Sequence, residues 1–163
     1  MFKRWFGEKD TREVIMAPLH GEVVRIEEVP DPTFSKKMVG EGVAIIPKEG
    51  KVVSPVKGEV VQVFPTKHAV GLRSEKGVEL LIHIGLETVF MQGEGFVAYV
   101  RAGDKVKVGD PLLEFSIDLV KEKAKSAITP IVIINPDRMD QIEMEWPKEA
   151  KMGETSIMKM KVK

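Results

Sequence analysis

The 163-residue chain contains no cysteine, which excludes disulfides, thiolate metal sites and cysteine nucleophiles together. No apolar run approaches the roughly 20 residues that a membrane-spanning helix requires. Neither sign of charge is in excess, since 25 basic residues balance 25 acidic ones. The chain therefore has no bulk attraction for nucleic acid, and no arginine-rich stripe interleaved with aromatics supplies a local one. There is no Gly-Lys-Ser/Thr step for a Walker-type phosphate loop. The opening "MFKRWFGEKD" is basic but lacks the apolar core and small-residue cleavage site of a secretory signal. These absences leave a soluble, cytoplasmic chain of a length that buries one core without staples.

What is present is a series of short Val- and Ile-rich runs between Gly and Pro punctuation: "GEVVRIEEV", "GVAIIP", "KVVSPV", "GEVVQVF", "AVGL", "VELLIHIG" and "PIVIIN". Each is too short for a helix, and β-branched residues favour a pleated surface. The expectation is an all-β fold, an antiparallel sandwich or barrel. Two segments break the pattern. "SIDLVKEKAKSA" offers cap residues Ser116 and Asp118 before good helix formers, which predicts one or two helical turns. "NPDRMDQIEM" is a second, weaker helical candidate. At the C-terminus Met158, Met160 and Val162 alternate with Lys159, Lys161 and Lys163, the pattern of a half-buried last strand. An internal echo joins "APLHGEVVRI" at 17–26 to "SPVKGEVVQV" at 54–63, an offset of 37 residues. "GEGVA" and "GEGFVA" echo at a different offset, 53 residues between Glu41 and Glu94, so the chain is no regular solenoid. Two related β units packed about an approximate two-fold account for the first echo.

Histidine is scarce, with three residues. Strand alternation puts Leu80, Ile82 and Ile84 on the core face, and Glu79, Leu81 and His83 on the other. In "FPTKHAVGL" a strand starting at Pro65 would project Thr66, His68 and Val70 together. His68 and His83 could then meet across a hairpin, with the Thr66 hydroxyl beside them. A neutral imidazole serves as nucleophile or metal ligand and titrates near neutrality. As a nucleophile it yields a phosphoramidate able to pass a phosphoryl group onward, provided neighbours stabilise the phosphoryl oxygens. As a ligand pair, His68 and His83 are possible adventitious zinc ligands, with no third ligand of the right kind nearby. His20, in a turn after Leu19, reads as solvated surface.

The stretches "APLHGEVV", "VPDPTFSKKMVGEGVAI", "VVSPVKGEVVQVFPTKHAVGL", "GVELLIHIGLETV", "GEGFVAYVRAGDKVKVGDPLLEFS" and "KSAITPIVIIN" together resemble the glucose-type enzyme IIA component of the bacterial phosphoenolpyruvate:sugar phosphotransferase system. The resemblance covers 15–163, leaving 1–14 as an N-terminal tail. It implies an antiparallel β-sandwich and a phosphotransferase component working through a phosphohistidine, without a cofactor. Its implied partners are the histidine phosphocarrier protein HPr as donor and the IIB domain of a sugar permease as acceptor. By motif, His83 is the phosphoryl acceptor, His68 its hydrogen-bonding partner and Thr66 the assisting hydroxyl. The implied docking surface is an apolar disc of Phe34, Met38, Val39, Phe64, Leu81 and Val89, with Asp31 and Glu87 at an acidic rim. Relatives often carry Asp where Glu87 stands, so the reach of that charge is longer here. Phe34, in the Pro-flanked loop "PDPTFSKKM", is expected to be an exposed contact aromatic.

Two rival readings fit less well. "VRAGDKVKVGDPLLEF" is similar to the hairpin of biotinyl and lipoyl carrier domains, with "MKM" at 158–160 imitating their modified lysine, yet Met160 stands three residues from the chain end. A zinc hydrolase on a related sandwich lacks its further ligands, because Ile84 and Gly85 follow His83. Phe2, Trp5 and Phe6 would line one face of a helix, giving either weak contact of residues 1–7 with an anionic membrane surface or a disordered start. The domain is expected to be monomeric.

Overall fold

The computed structural model describes residues 10–163. The proposed aromatic face of the tail lies outside the described residues. Folded structure begins earlier than residue 15: β1 (Arg12–Met16) pairs with β13 (Ser156–Val162) from Arg12 onward.

The molecule is an antiparallel β-sandwich. Its larger layer has seven strands in the order β2 (Gly21–Arg25), β3 (Glu41–Pro47), β11 (Thr129–Ile133), β7 (Glu79–His83), β6 (Ala69–Ser74), β5 (Gly58–Val63) and β9 (Lys105–Val106). Two three-stranded sheets complete it. One orders β1, β13 and β12 (Met139–Met144), and the other orders β4 (Lys51–Val53), β10 (Pro111–Phe115) and β8 (Phe96–Ala98). Val43, Ile45, Leu72, Leu80, Ile82 and Ile131 from the large sheet share one core with Ile15, Leu113, Phe115, Ile157 and Met158 from the small ones. Burial of this apolar area is the main stabilising term.

The 37-residue echo is a structural duplication. Gly21 opens β2 opposite Pro47 of β3, and Gly58 opens β5 opposite Ser74 of β6. β3 pairs onward with β11, β6 pairs onward with β7, and β11 and β7 pair with each other. The half-sheets β2-β3-β11 and β5-β6-β7 are therefore related by an approximate two-fold between β7 and β11. The same relation holds just upstream. The Met16 N–H donates to the Pro55 carbonyl (3.0 Å), and the equivalent Val53 N–H donates to the Pro18 carbonyl (2.9 Å). The second echo has no such basis, because Glu41 starts β3 whereas Glu94 lies in the turn before β8.

Helix α2 (Ile117–Lys123) forms where expected, with the Ser116 hydroxyl accepting from the Leu119 N–H at 3.2 Å. The weaker helical candidate is mostly strand. Pro136 starts a single 3-10 turn, Pro136–Arg138, and β12 follows. Asn135 cannot act as a helix cap, because its side chain accepts from the Glu79 N–H and donates to the Gly77 carbonyl. Ile142 and Met144 then alternate onto the core, and tertiary packing overrides the local helical tendency. "FPTKHAVGL" also departs from expectation. Residues 65–68 form a turn and β6 starts only at Ala69, so Val70 enters the core without His68 beside it. His20 is half-buried rather than solvated, and its Nδ1 accepts from the Met152 N–H at 3.1 Å. Met160 is buried within β13, so no lysine-bearing hairpin tip exists at 158–160.

Candidate functional site

In β7 the burial follows the predicted parity. Leu80, Ile82 and Ile84 are fully buried, while Glu79, Leu81 and His83 stand half-buried on the opposite face. Ala69 of β6 lies opposite His83. One step further, the Ile84 N–H donates to the His68 carbonyl at 2.7 Å, carrying the ladder into the 65–68 turn. Lys67 takes a left-handed conformation there (φ 59°), and this reversal turns His68 onto the His83 side. The two imidazoles meet with centroids 4.9 Å apart and planes at 81°.

Each ring is oriented by a second group. His83 Nδ1 lies 2.8 Å from the Gly85 carbonyl oxygen. That oxygen can only accept, so Nδ1 carries the hydrogen and the free lone pair is on Nε2. His68 Nδ1 and the Thr66 hydroxyl share a short hydrogen bond of 2.5 Å. When Thr66 donates, His68 keeps its hydrogen on Nε2. His68 is 4% exposed. Burial, and secondly the charge of His83, push its pKa down to about 4. Burial also lowers His83, opposed by the Gly85 hydrogen bond and the Asp31 carboxylate. Both rings are therefore neutral at pH 7.

Aromatic walls enclose the pair. Phe64 meets His68 edge-on, with centroids 5.6 Å apart at 73°, and Phe34 tilts against His83 at 5.1 Å and 55°. Phe34 is 4% exposed, so it is not the free contact aromatic expected from its loop. The cause is the short helix α1 (Pro32–Ser35). The Asp31 carboxylate accepts from the Thr33 N–H at 2.9 Å, Pro32 fixes the first turn, and Phe34 rolls inward. It joins a second apolar cluster with Ile26, Val29, Ala44, Leu86, Ile128 and Val132, on which Val39 and Leu81 also pack. Of the remaining disc residues, Met38 is 72% and Val89 44% exposed, while Phe64 is half-buried. Asp31 is half-buried and Glu87 is exposed.

Three neighbours of the site escaped the sequence reading. Gly85 supplies the carbonyl that orients His83. Thr88 is fully buried, with its hydroxyl donating to the Ile84 carbonyl. Phe90, adjacent to Val89, is 76% exposed. Thr88–Met91 is a 3-10 turn bracketed by left-handed Glu87 and Gln92. Its period of three puts Thr88 and Met91 inside and both Val89 and Phe90 outside. The i, i+3 spacing of Thr88 and Met91 was the available signal. Among the described residues no group of three His, Cys, Asp or Glu side chains is placed to hold a metal ion. No helix among them is long and apolar enough to cross a membrane.

A paired histidine in an apolar recess, with one imine nitrogen free, suits nucleophilic transfer between docking proteins. Comparison with known proteins agrees. The family described as phosphoenolpyruvate-dependent sugar phosphotransferase system, EIIA 1, matches residues 13–139. The PTS system glucose-specific EIIA component of Halalkalibacterium halodurans is 56% identical, covering 99% of both chains. The component of the same name from Bacillus cereus is 54% identical over 100% of each. Among solved structures, glucose permease IIA from Mycoplasma capricolum superposes with a TM-score of 0.84 at 33% identity, covering 95% of this chain and 98% of that one.

Proposed function

This chain belongs to the EIIA 1 family of the phosphoenolpyruvate-dependent sugar phosphotransferase system and is a phosphoryl carrier that interacts with HPr and the IIB domain of a sugar permease, and we propose that its phosphoryl group rides on Nε2 of His83. The observation that carries this reading is the His83 Nδ1 to Gly85 carbonyl bond of 2.8 Å, which leaves Nε2 as the nucleophile. In the first half-reaction Nε2 attacks phosphorus in line. The P–N bond to the HPr histidine breaks as the bond to Nε2 forms, and the electron pair leaves on the HPr imidazole. In the second half-reaction the same bond breaks toward the IIB nucleophile.

His68, neutral because its pKa is held near 4, offers its Nε2–H to the phosphoryl oxygens, with Thr66 fixing the tautomer. The apolar walls Phe34 and Phe64 keep water from the labile phosphohistidine. Val39, Phe64 and Leu81 form the centre of the docking face over the buried Phe34, with Met38 and Val89 as its exposed margin and Asp31 and Glu87 as its acidic rim. Both partners use this face in turn, which a monomeric domain leaves open. The names of its relatives support a glucose-type permease.

The test is incubation with phosphoenolpyruvate, enzyme I and HPr, followed by intact-mass measurement. His83→Ala should gain no phosphoryl group. His68→Gln should become phosphorylated yet pass the group to IIB about a hundredfold more slowly, the lower end of the loss expected from one oxyanion donor. Labelling of His83→Ala would overturn the acceptor assignment.

A further inference from the structure

The bond that orients His83 depends on a peptide that His83 does not touch. Gly85 stands at φ +69°, a left-handed value, and a Cβ there would lie 2.7 Å from the Ser126 carbonyl oxygen and 2.7 Å from the Thr88 methyl. The Gly85 carbonyl is therefore set by the two peptide planes flanking a flexible residue. The far plane is pinned by the Leu86 N–H donating to the Ser126 carbonyl at 2.9 Å. The near plane is the Ile84–Gly85 peptide, and its carbonyl accepts the Thr88 hydroxyl at 2.5 Å. The Ile84 N–H is at the same time committed to the His68 carbonyl at 2.7 Å. Ile84 thus links both histidine segments, and Thr88 is the side chain that holds it in place.

We propose that Thr88 is a positioning residue for phosphoryl transfer: by clamping the Ile84 carbonyl it keeps the Gly85 carbonyl aimed at His83 Nδ1, and so reserves Nε2 for the phosphoryl group. A buried threonine that only packed would need its methyl, and the hydroxyl could be spared if its acceptor found another donor. The clamp requires the hydroxyl. With the donor gone, the Ile84 carbonyl is buried without a partner, the peptide rotates to find one, and the orienting bond to Nδ1 lengthens. The imidazole then populates both tautomers, and part of the nucleophile is lost.

The inference rests on His83 being the acceptor, but its first readout does not. Long-range nitrogen–proton NMR of the unphosphorylated protein reports the His83 tautomer directly, so a failure of the acceptor assignment leaves that result standing. Wild type should show a single Nδ1–H tautomer. Thr88→Val, which keeps shape and removes the donor, should show a mixture. Its transfer from phospho-HPr should fall about tenfold, the loss typical of an outer orienting partner, with phosphorus NMR detecting some Nδ1-phosphohistidine. Thr88→Ser and Thr88→Ala both lose the methyl and differ only by the hydroxyl, so they serve even if Thr88→Val folds poorly. Thr88→Ser should keep the wild-type tautomer and a rate within about twofold, while Thr88→Ala should behave like Thr88→Val. A wild-type tautomer and rate in Thr88→Ala, or equal defects in Thr88→Ser and Thr88→Ala, would overturn the proposal.

Discussion

Replacing His68 by Gln removes a group that the folded protein keeps from taking a proton. His68 is 4% exposed, and its pKa falls from 6.5 to about 4, through burial first and the charge of His83 second. In the unfolded chain the ring titrates near 6.5. Between those values the unfolded state binds a proton that the native state refuses, so stability rises with pH across that window. The contribution is fully present above about pH 6.5 and is lost as pH falls toward 4. A gap of roughly two and a half pH units, at 1.36 kcal/mol each, gives about 3 kcal/mol. His83 is lowered in the same direction and remains in the variant. The difference between the two proteins therefore reports His68 together with its coupling to His83. Urea denaturation at steps from pH 7.5 to 4 is the assay. The stability of wild type relative to His68→Gln should fall by about 3 kcal/mol over that range, most of it below pH 6.5. Parallel curves would show that His68 protonates freely in the folded protein, and the neutral-donor role would fail with them.

Three further outcomes follow from the same geometry. Glu87→Lys places a basic charge on the rim, so transfer from phospho-HPr should slow several-fold at low salt and approach wild type as salt is added. Val89→Lys puts a charge on the apolar margin, and its slower transfer should persist across the same ionic-strength series, which phosphorylation kinetics will separate. Gly85→Ala forces a side chain onto a left-handed residue against the Ser126 carbonyl. It should cost at least about 2 kcal/mol in urea denaturation.

The parts of the fold legible in the sequence were those governed by period-two alternation over a buried face. Leu80, Ile82 and Ile84 against Leu81 and His83, and Met158 and Met160 against Lys159 and Lys161, carry the information locally, because one misplaced residue would reverse the whole face. The meeting of His68 and His83 was legible as a hairpin contact, but its route was not. Lys67 adopts a left-handed conformation without being Gly or Asn, so nothing in its side chain announces the turn. Phe34 was misjudged because its loop closes into one helical turn over a cluster built from distant residues such as Ala44 and Val132. Phe90 and Thr88 were missed because a 3-10 turn obeys neither strand nor α-helical spacing. Non-local packing and irregular turns decide these positions, and the site is assembled largely from both.

The doubled frame carries its chemistry once. Ala69, opposite His83 in β7, stands five residues before Ser74, the partner of Gly58. Gly42, opposite Val132 in β11, stands five residues before Pro47, the partner of Gly21. His83 and Val132 are thus matched positions of the two arms. Val132 is sealed beneath Ile26, Val29 and Phe34, while His83 looks out past the edge of that same cover. Symmetry has been broken by a lid laid over one arm only, and the lid's margin becomes a wall for the other. Division of labour between twin halves lets a single segment, residues 26–39, both bury the silent copy and shape the approach to the working one.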